Sequence, residues 1–122
     1  MITGAHVLLY SKDAEKDRAF LRDIIGLRAI DIGHGWMIFA MPPSEAAVHP
    51  ADDDRSDEAE HRMMSAHVYF LCDNLESTIA DLKKKGVVCT KIATERWGIR
   101  TTIPLPSGAE VGLYEPKHPT AI

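Results

Sequence analysis

The stretches GAHVLLY, residues 4–10, and SAHVYFL, residues 65–71, each carry a histidine in third place. Imidazole is a common protein ligand for zinc, iron, nickel and copper, so histidines at matched positions raise the chemistry of a bound transition metal. A catalytic metal takes about three protein ligands and keeps one position open for water or substrate. A lone strand histidine is more simply a core or rim residue bonded to a neighbour; it is the recurrence that gives His6 and His67 weight. His34, His61 and His118 stand in turn or linker sequence and receive no role.

The elements that would hold these residues also recur. At an offset of 61 residues Ala5, His6, Val7, Glu15, Ala19 and Leu21 return as Ala66, His67, Val68, Glu76, Ala80 and Leu82, and Gly26 returns one residue early as Gly86. A fixed offset of half the chain marks a duplicated unit rather than a solenoid. In each copy the histidine phrase alternates as a strand does. His6, Leu8 and Tyr10 share one face, and His67, Tyr69 and Leu71 share its counterpart. A helix follows each strand. Asp13 caps the first, with Phe20, Leu21, Ile24 and Ile25 on one stripe and Gly26 at its end; Asn74 caps the second, with Leu75, Ile79 and Leu82 on a stripe and Gly86 beyond Lys83–Lys85. Three strand-like segments come next in each half, at 28–32, 36–41 and 45–49, then at 88–93, 99–104 and 110–115, divided by Gly- and Pro-bearing turns. The expectation is one domain over residues 1–122, with a βαβββ module at 1–49, a second at 63–122 and a solvated acidic linker at 50–62.

Composition removes several function classes. The 122 residues are 45% hydrophobic and 26% charged, as in an ordinary soluble domain, and 14 Lys+Arg against 18 Asp+Glu give a net charge of −4. With scattered basic residues there is no face for nucleic acid, and no apolar run long enough to span a bilayer, so neither is expected as a partner and a cytoplasmic location is the default. Cys72 and Cys89 lack metal or redox spacing and are read as reduced thiols.

Two βαβββ units with a histidine on each first strand resemble the vicinal oxygen chelate superfamily, which includes glyoxalase I, the bleomycin resistance proteins and the type I extradiol dioxygenases. The ending PSGAEVGLYEPKHP also resembles that family's closing strand. The resemblance implies an α+β fold in which two modules form a curled, cup-like mixed sheet with helices outside. It implies metal ligands on the first and last strands of each module, which fall here on His6, His49, His67 and Gly112. A divalent ion (Zn, Fe, Ni, Mn or Co) held by the three histidines is the expected cofactor. Gly112 stands where relatives place a glutamate, so glyoxalase I activity itself is not expected, and Glu110 lies about 6.6–6.8 Å along the strand. A carboxylate introduced at 112 would be expected to tighten metal binding.

Three functions remain open from these residues, the third being an interaction module with no pocket ligand, whose cup would be filled by side chains. One is a metal-dependent lyase, isomerase or oxygenase acting on a small oxygen-bearing molecule, with no catalytic residue assigned. The second is a binding or resistance protein of the antibiotic-sequestering kind, in which Tyr10, Tyr69, Trp97 and Tyr114 clamp a planar ligand and Arg100 holds its carboxylate. A homodimer is expected for each, because open sheets leave edges and apolar faces to be covered.

Overall fold

The computed structural model describes residues 1, 4, 6–48 and 65–122. The acidic linker and the candidate ligand His49 lie outside the described residues. The chain is α+β, with two sheets among the described residues, and it groups into two units: residues 1–41 with 104–110, and residues 42–103 with 111–122.

The first unit is built around helix α1, Ala14–Phe20, which Asp13 caps by accepting from the Lys16 amide. It runs on as a wider turn, Leu21–Ile25, that Gly26 ends at φ 85°. On its first turns sits the buried carboxylate of Asp17. Ser11 Oγ donates to it at 2.7 Å, and Ser107 donates both its amide, at 3.0 Å, and its hydroxyl, at 2.6 Å. Burial works to raise the Asp17 pKa, but these donors together outweigh it and hold the carboxyl below its ordinary value. Strands β1, Ala29–Asp31, and β2, Met37–Phe39, form an antiparallel hairpin in which Ile30 faces Ile38. Its turn passes through Gly33, His34 and Gly35, all at positive φ.

The histidine phrase of this unit departs from expectation. Residues 6–10 are exposed and enter no ladder, although their alternation reads as a strand. A strand exists only where another strand accepts its backbone hydrogen bonds, and none of the described residues does so here. Residues 44–48 likewise form no strand.

The second unit follows the order strand, helix, three strands: β3 Tyr69–Leu71, α2 Leu75–Lys84, β4 Ala93–Glu95, β5 Gly98–Pro104 and β6 Glu110–Pro116. The sheet order is β3-β6-β5-β4, with β3 parallel to β6 and β4 antiparallel to β5. Leu75 and Leu82 of α2 are buried, as are Thr101, Ile103, Val111 and Leu113 of the sheet. Alternation puts Thr101 and Ile103 on one face of β5 and leaves Gly98, Arg100 and Thr102 on the other. Asn74 caps α2 by accepting from Ser77, and Glu115 Oε1 accepts from the Leu75 amide. Strand β4 begins later than its composition suggests, and Thr90 is tied to β5 partly through side chains: its amide donates to Thr102 O at 3.0 Å, but Thr102 N donates to Thr90 Oγ1 at 2.9 Å and Thr101 Oγ1 to Thr90 O at 2.6 Å. Among the described residues no helix is long and apolar enough to cross a membrane.

Candidate ligand-binding site

Pairing of β3 with β6 sets Tyr69 beside Gly112 and Leu71 beside Tyr114, on the sheet face away from α2. Gly112 has no side chain, and the Tyr69 ring takes its place. A Cβ built on Gly112 would lie 2.6 Å from Tyr69 Cγ and closer still to Cδ1 and Cε1. Its approaches to both neighbours of Cδ1 are shorter than any point in the ring plane beyond Cδ1 could make, which puts it over the ring's face rather than outside its edge. Tyr69 therefore lies flat over Gly112.

Two further rings stand around it. Trp97 comes from the turn between β4 and β5, and a Cβ on Gly98 would collide with the backbone of Glu115 and stand 3.2 Å from Pro116 Cα. Only glycine lets the strands approach so closely, and the approach is fixed by Lys117 N donating to Trp97 O at 2.8 Å. Trp97 thereby reaches Tyr114, with ring centroids 5.2 Å apart and planes at 88°. Tyr69 meets Tyr114 at 5.6 Å and 82°, and Trp97 at 6.5 Å and 86°. The three rings are mutually perpendicular, and Tyr69 and Trp97 remain 37% and 39% exposed.

Polar groups complete the surroundings. Arg100 Nε and Nη2 reach Glu95 Oε1 at 3.3 and 3.2 Å, so the guanidinium expected to hold a ligand carboxylate is already occupied by a carboxylate of the protein. Burial, and then the nearby Glu45 charge, push the Tyr114 phenol pKa up. Glu45 Oε2 accepts from the Ala121 amide. His118 Nδ1 lies 2.8 Å from the Pro119 carbonyl oxygen, which can only accept, so that nitrogen carries the proton. In the neutral ring Nε2 is then an acceptor, and the Tyr114 hydroxyl donates to it at 3.4 Å. Neither Glu45 nor His118 stood out in the sequence; Glu45 is brought near Tyr114 by the fold, and His118 lies four residues beyond it, past the end of β6.

The remaining candidates are placed differently. His67 is exposed just ahead of β3, where Gly112 N donates to the adjacent Val68 carbonyl at 2.8 Å. His6 and Tyr10 belong to the exposed stretch of the first unit, Tyr10 being 90% exposed. Among the described residues no three His, Cys, Asp or Glu side chains come together to hold an ion. The face around Gly112 presents aromatic rings, and position 112 itself offers no side-chain donor to a metal.

Comparison with known proteins puts these features in a lineage. The sequence profile of the Glyoxalase/Bleomycin resistance protein/Dioxygenase superfamily matches residues 4–116. The chain belongs to that superfamily. Among solved members of this fold, TnmS3, an antibiotic binding protein from Streptomyces sp. CB03234, is 18% identical with a TM-score of 0.60, over 96% of this chain and 100% of that one. A lactoylglutathione lyase from Agrobacterium tumefaciens is 17% identical with a TM-score of 0.62, over 93% and 92% of the two chains. A putative glyoxalase family protein from Bacillus anthracis is 20% identical with a TM-score of 0.54, over 96% and 98%. No curated protein sequence matches the chain. The superfamily fold thus has both an antibiotic binder and a lyase among its solved structures.

Proposed function

We propose that this superfamily member binds a small organic molecule on the Tyr69–Trp97–Tyr114 face and does so without a metal ligand from position 112. The observation that carries the reading is the Tyr69 ring lying flat on Gly112. It converts the place of a ligating side chain into an apolar floor, and binding sites are mostly apolar and aromatic with a few placed polar groups. The antibiotic-binding TnmS3 is a precedent for such use of the fold. The ligand is a small molecule and not a nucleic acid, in a cytoplasmic protein that works as a homodimer.

A test follows from the two tryptophans of the chain. Trp36→Phe leaves Trp97 as the reporter, and its fluorescence is titrated with 2-naphthol, 2-naphthoate and choline as neutral, anionic and cationic probes. Saturable quenching by at least one of them, abolished by Tyr69→Leu, is the expected result. Absence of saturation with all three overturns the reading.

A second reading is a metal-dependent enzyme, a lyase, isomerase or oxygenase using His6, His49 and His67, and it is favoured by the repetition of the histidine phrase. Elemental analysis of untagged protein separates the two. One equivalent of a transition metal, lost in His67→Ala, would establish the second reading and remove the first.

A further inference from the structure

The character of the ligand can be taken further, on the reading that the aromatic face is a binding site. A clamp for a planar molecule needs two roughly parallel rings with a gap between them. Tyr69, Trp97 and Tyr114 stand at 82–88° to one another, so no pair of them can sandwich a plane. They form a floor and two walls. Ring centroids 5.2–6.5 Å apart are close enough for one compact group to touch all three at once.

The charges point the same way. Aromatic faces are electronegative and attract cations. Glu45 lies close enough to Tyr114 to disfavour the phenolate, and would disfavour a ligand anion at that place for the same reason. Arg100, the positive group on this face of β5, is neutralised by Glu95 at 3.2 Å. His118 Nε2 lies 3.4 Å from the Tyr114 hydroxyl and accepts from it when the imidazole is neutral. Arg96 and Lys117, beside Trp97 and β6 in sequence, are solvent-exposed.

We propose that the corner made by Tyr69, Trp97 and Tyr114, with Glu45 beside it, receives an organic cation, the protonated or quaternary ammonium group of a small amine. The Tyr69 face is the floor on which the cation sits, and Gly112 is what allows that floor to lie flat. Trp97 and Tyr114 exclude water on two sides, and the Glu45 carboxylate supplies the countercharge.

The test compares choline with 3,3-dimethylbutan-1-ol, which has the same shape and no charge, by calorimetric titration of the full chain. Choline is expected to bind about tenfold more tightly than the alcohol, as a partly desolvated cation–π contact allows. Tyr69→Leu and Glu45→Gln should each weaken choline about three- to fivefold, while Tyr69→Phe, which keeps the ring, should leave it unchanged. Circular dichroism of each variant checks that the fold is kept. Equal binding of choline and the alcohol, both weakened by Tyr69→Leu, would overturn the cation preference and leave the binding site standing. Choline binding untouched by Tyr69→Leu would overturn the assignment of the corner. Failure of choline together with the aromatic probes would overturn both this inference and the reading on which it rests.

Discussion

Gly112 and Tyr69 act as one unit at the scale of single residues. The missing side chain of one is the resting place of the other, so adding a methyl group at 112 must lift the ring. Gly112→Ala is expected to cost about 1–3 kcal/mol, as overpacking does, and much less in a Tyr69→Ala background, where the space is empty. Urea denaturation of the four proteins measures the coupling; additive costs would mean the two residues do not meet. The same contact corrects the expectation that Gly112→Glu would tighten metal binding, because its carboxylate would first have to displace an aromatic ring. Asp17 gives a second residue-level prediction. Its pKa is lower in the folded protein than its ordinary value of 3.8. The stability it contributes is therefore present above that value and is lost as pH falls through the lower, folded value. Asp17→Asn should be less stable at pH 7 by about 1–3 kcal/mol, since an amide has one acceptor oxygen where the carboxylate uses two, and its NH2 would face one of the three donors from Ser11 and Ser107. The difference should shrink as pH falls below about 4. Thermal melts of both proteins from pH 7 to pH 2.5 measure it, and parallel curves would show that Asp17 is not the titrating group.

Among the elements, what could be read in the sequence was what depends on neighbours along the chain. Helix α2 follows from the Asn74 cap, the Leu75, Ile79 and Leu82 stripe, and Gly86, and the β1–β2 hairpin from the residues around His34. Residues 6–10 carry as clear a strand pattern as β3 does. Their fate turns on a partner strand that alternation cannot supply. The face pairing of Tyr69 with Tyr114 was legible for the same local reason, through the period of two in β3 and β6. The influence of Glu45 on Tyr114 was not, since it joins residues far apart in the chain, and the His118 hydrogen bond, though only four residues along, follows no helical or strand period past the end of β6. Nor was the occupation of Arg100, because Glu95 reaches it only across the β4–β5 pair. Gly98 was also unmarked, although it decides how closely β5 approaches β6. Gly98→Ala is expected to be more damaging than Gly112→Ala, because its new Cβ meets the Glu115 backbone rather than a side chain that can swing away. Parting the strands there would carry Trp97 away from Tyr114. In Trp36→Phe protein the Trp97 emission should shift to the red and the denaturation midpoint should drop, whereas an unchanged spectrum would mean that Trp97 is not positioned by the β5–β6 approach.

For the whole molecule, the stretch at residues 6–10, which pairs with no strand among the described residues, matters most. Val7, Leu8, Leu9 and Tyr10 are all exposed, and so are Ile30, Ile32 and Trp36 of the hairpin segment in the same unit. Single exposed apolar residues are ordinary, but a run of four that pairs with no strand among the described residues offers backbone to which another chain can add. A second copy has the matching edge and the matching apolar surface, and a two-fold axis would cover both at once. The protein is therefore expected to sediment as a dimer at micromolar concentration. Leu8→Asp replaces an exposed apolar side chain with a charged one, so it should leave the isolated chain folded while moving the equilibrium toward monomer. Sedimentation velocity across a concentration series, with circular dichroism as the check on folding, reads both effects. A monomeric wild-type protein, or a Leu8→Asp dimer as stable as the wild type, would rule this stretch out as the joining surface. The same dimer bears on the histidines. If His6 and His67 serve one metal site built from two chains, mixing His6→Ala with His67→Ala protein would restore one intact site per heterodimer. The aromatic site, whose residues all belong to the second unit of a single chain, should instead bind equally well in His6→Ala, in His67→Ala and in their mixture.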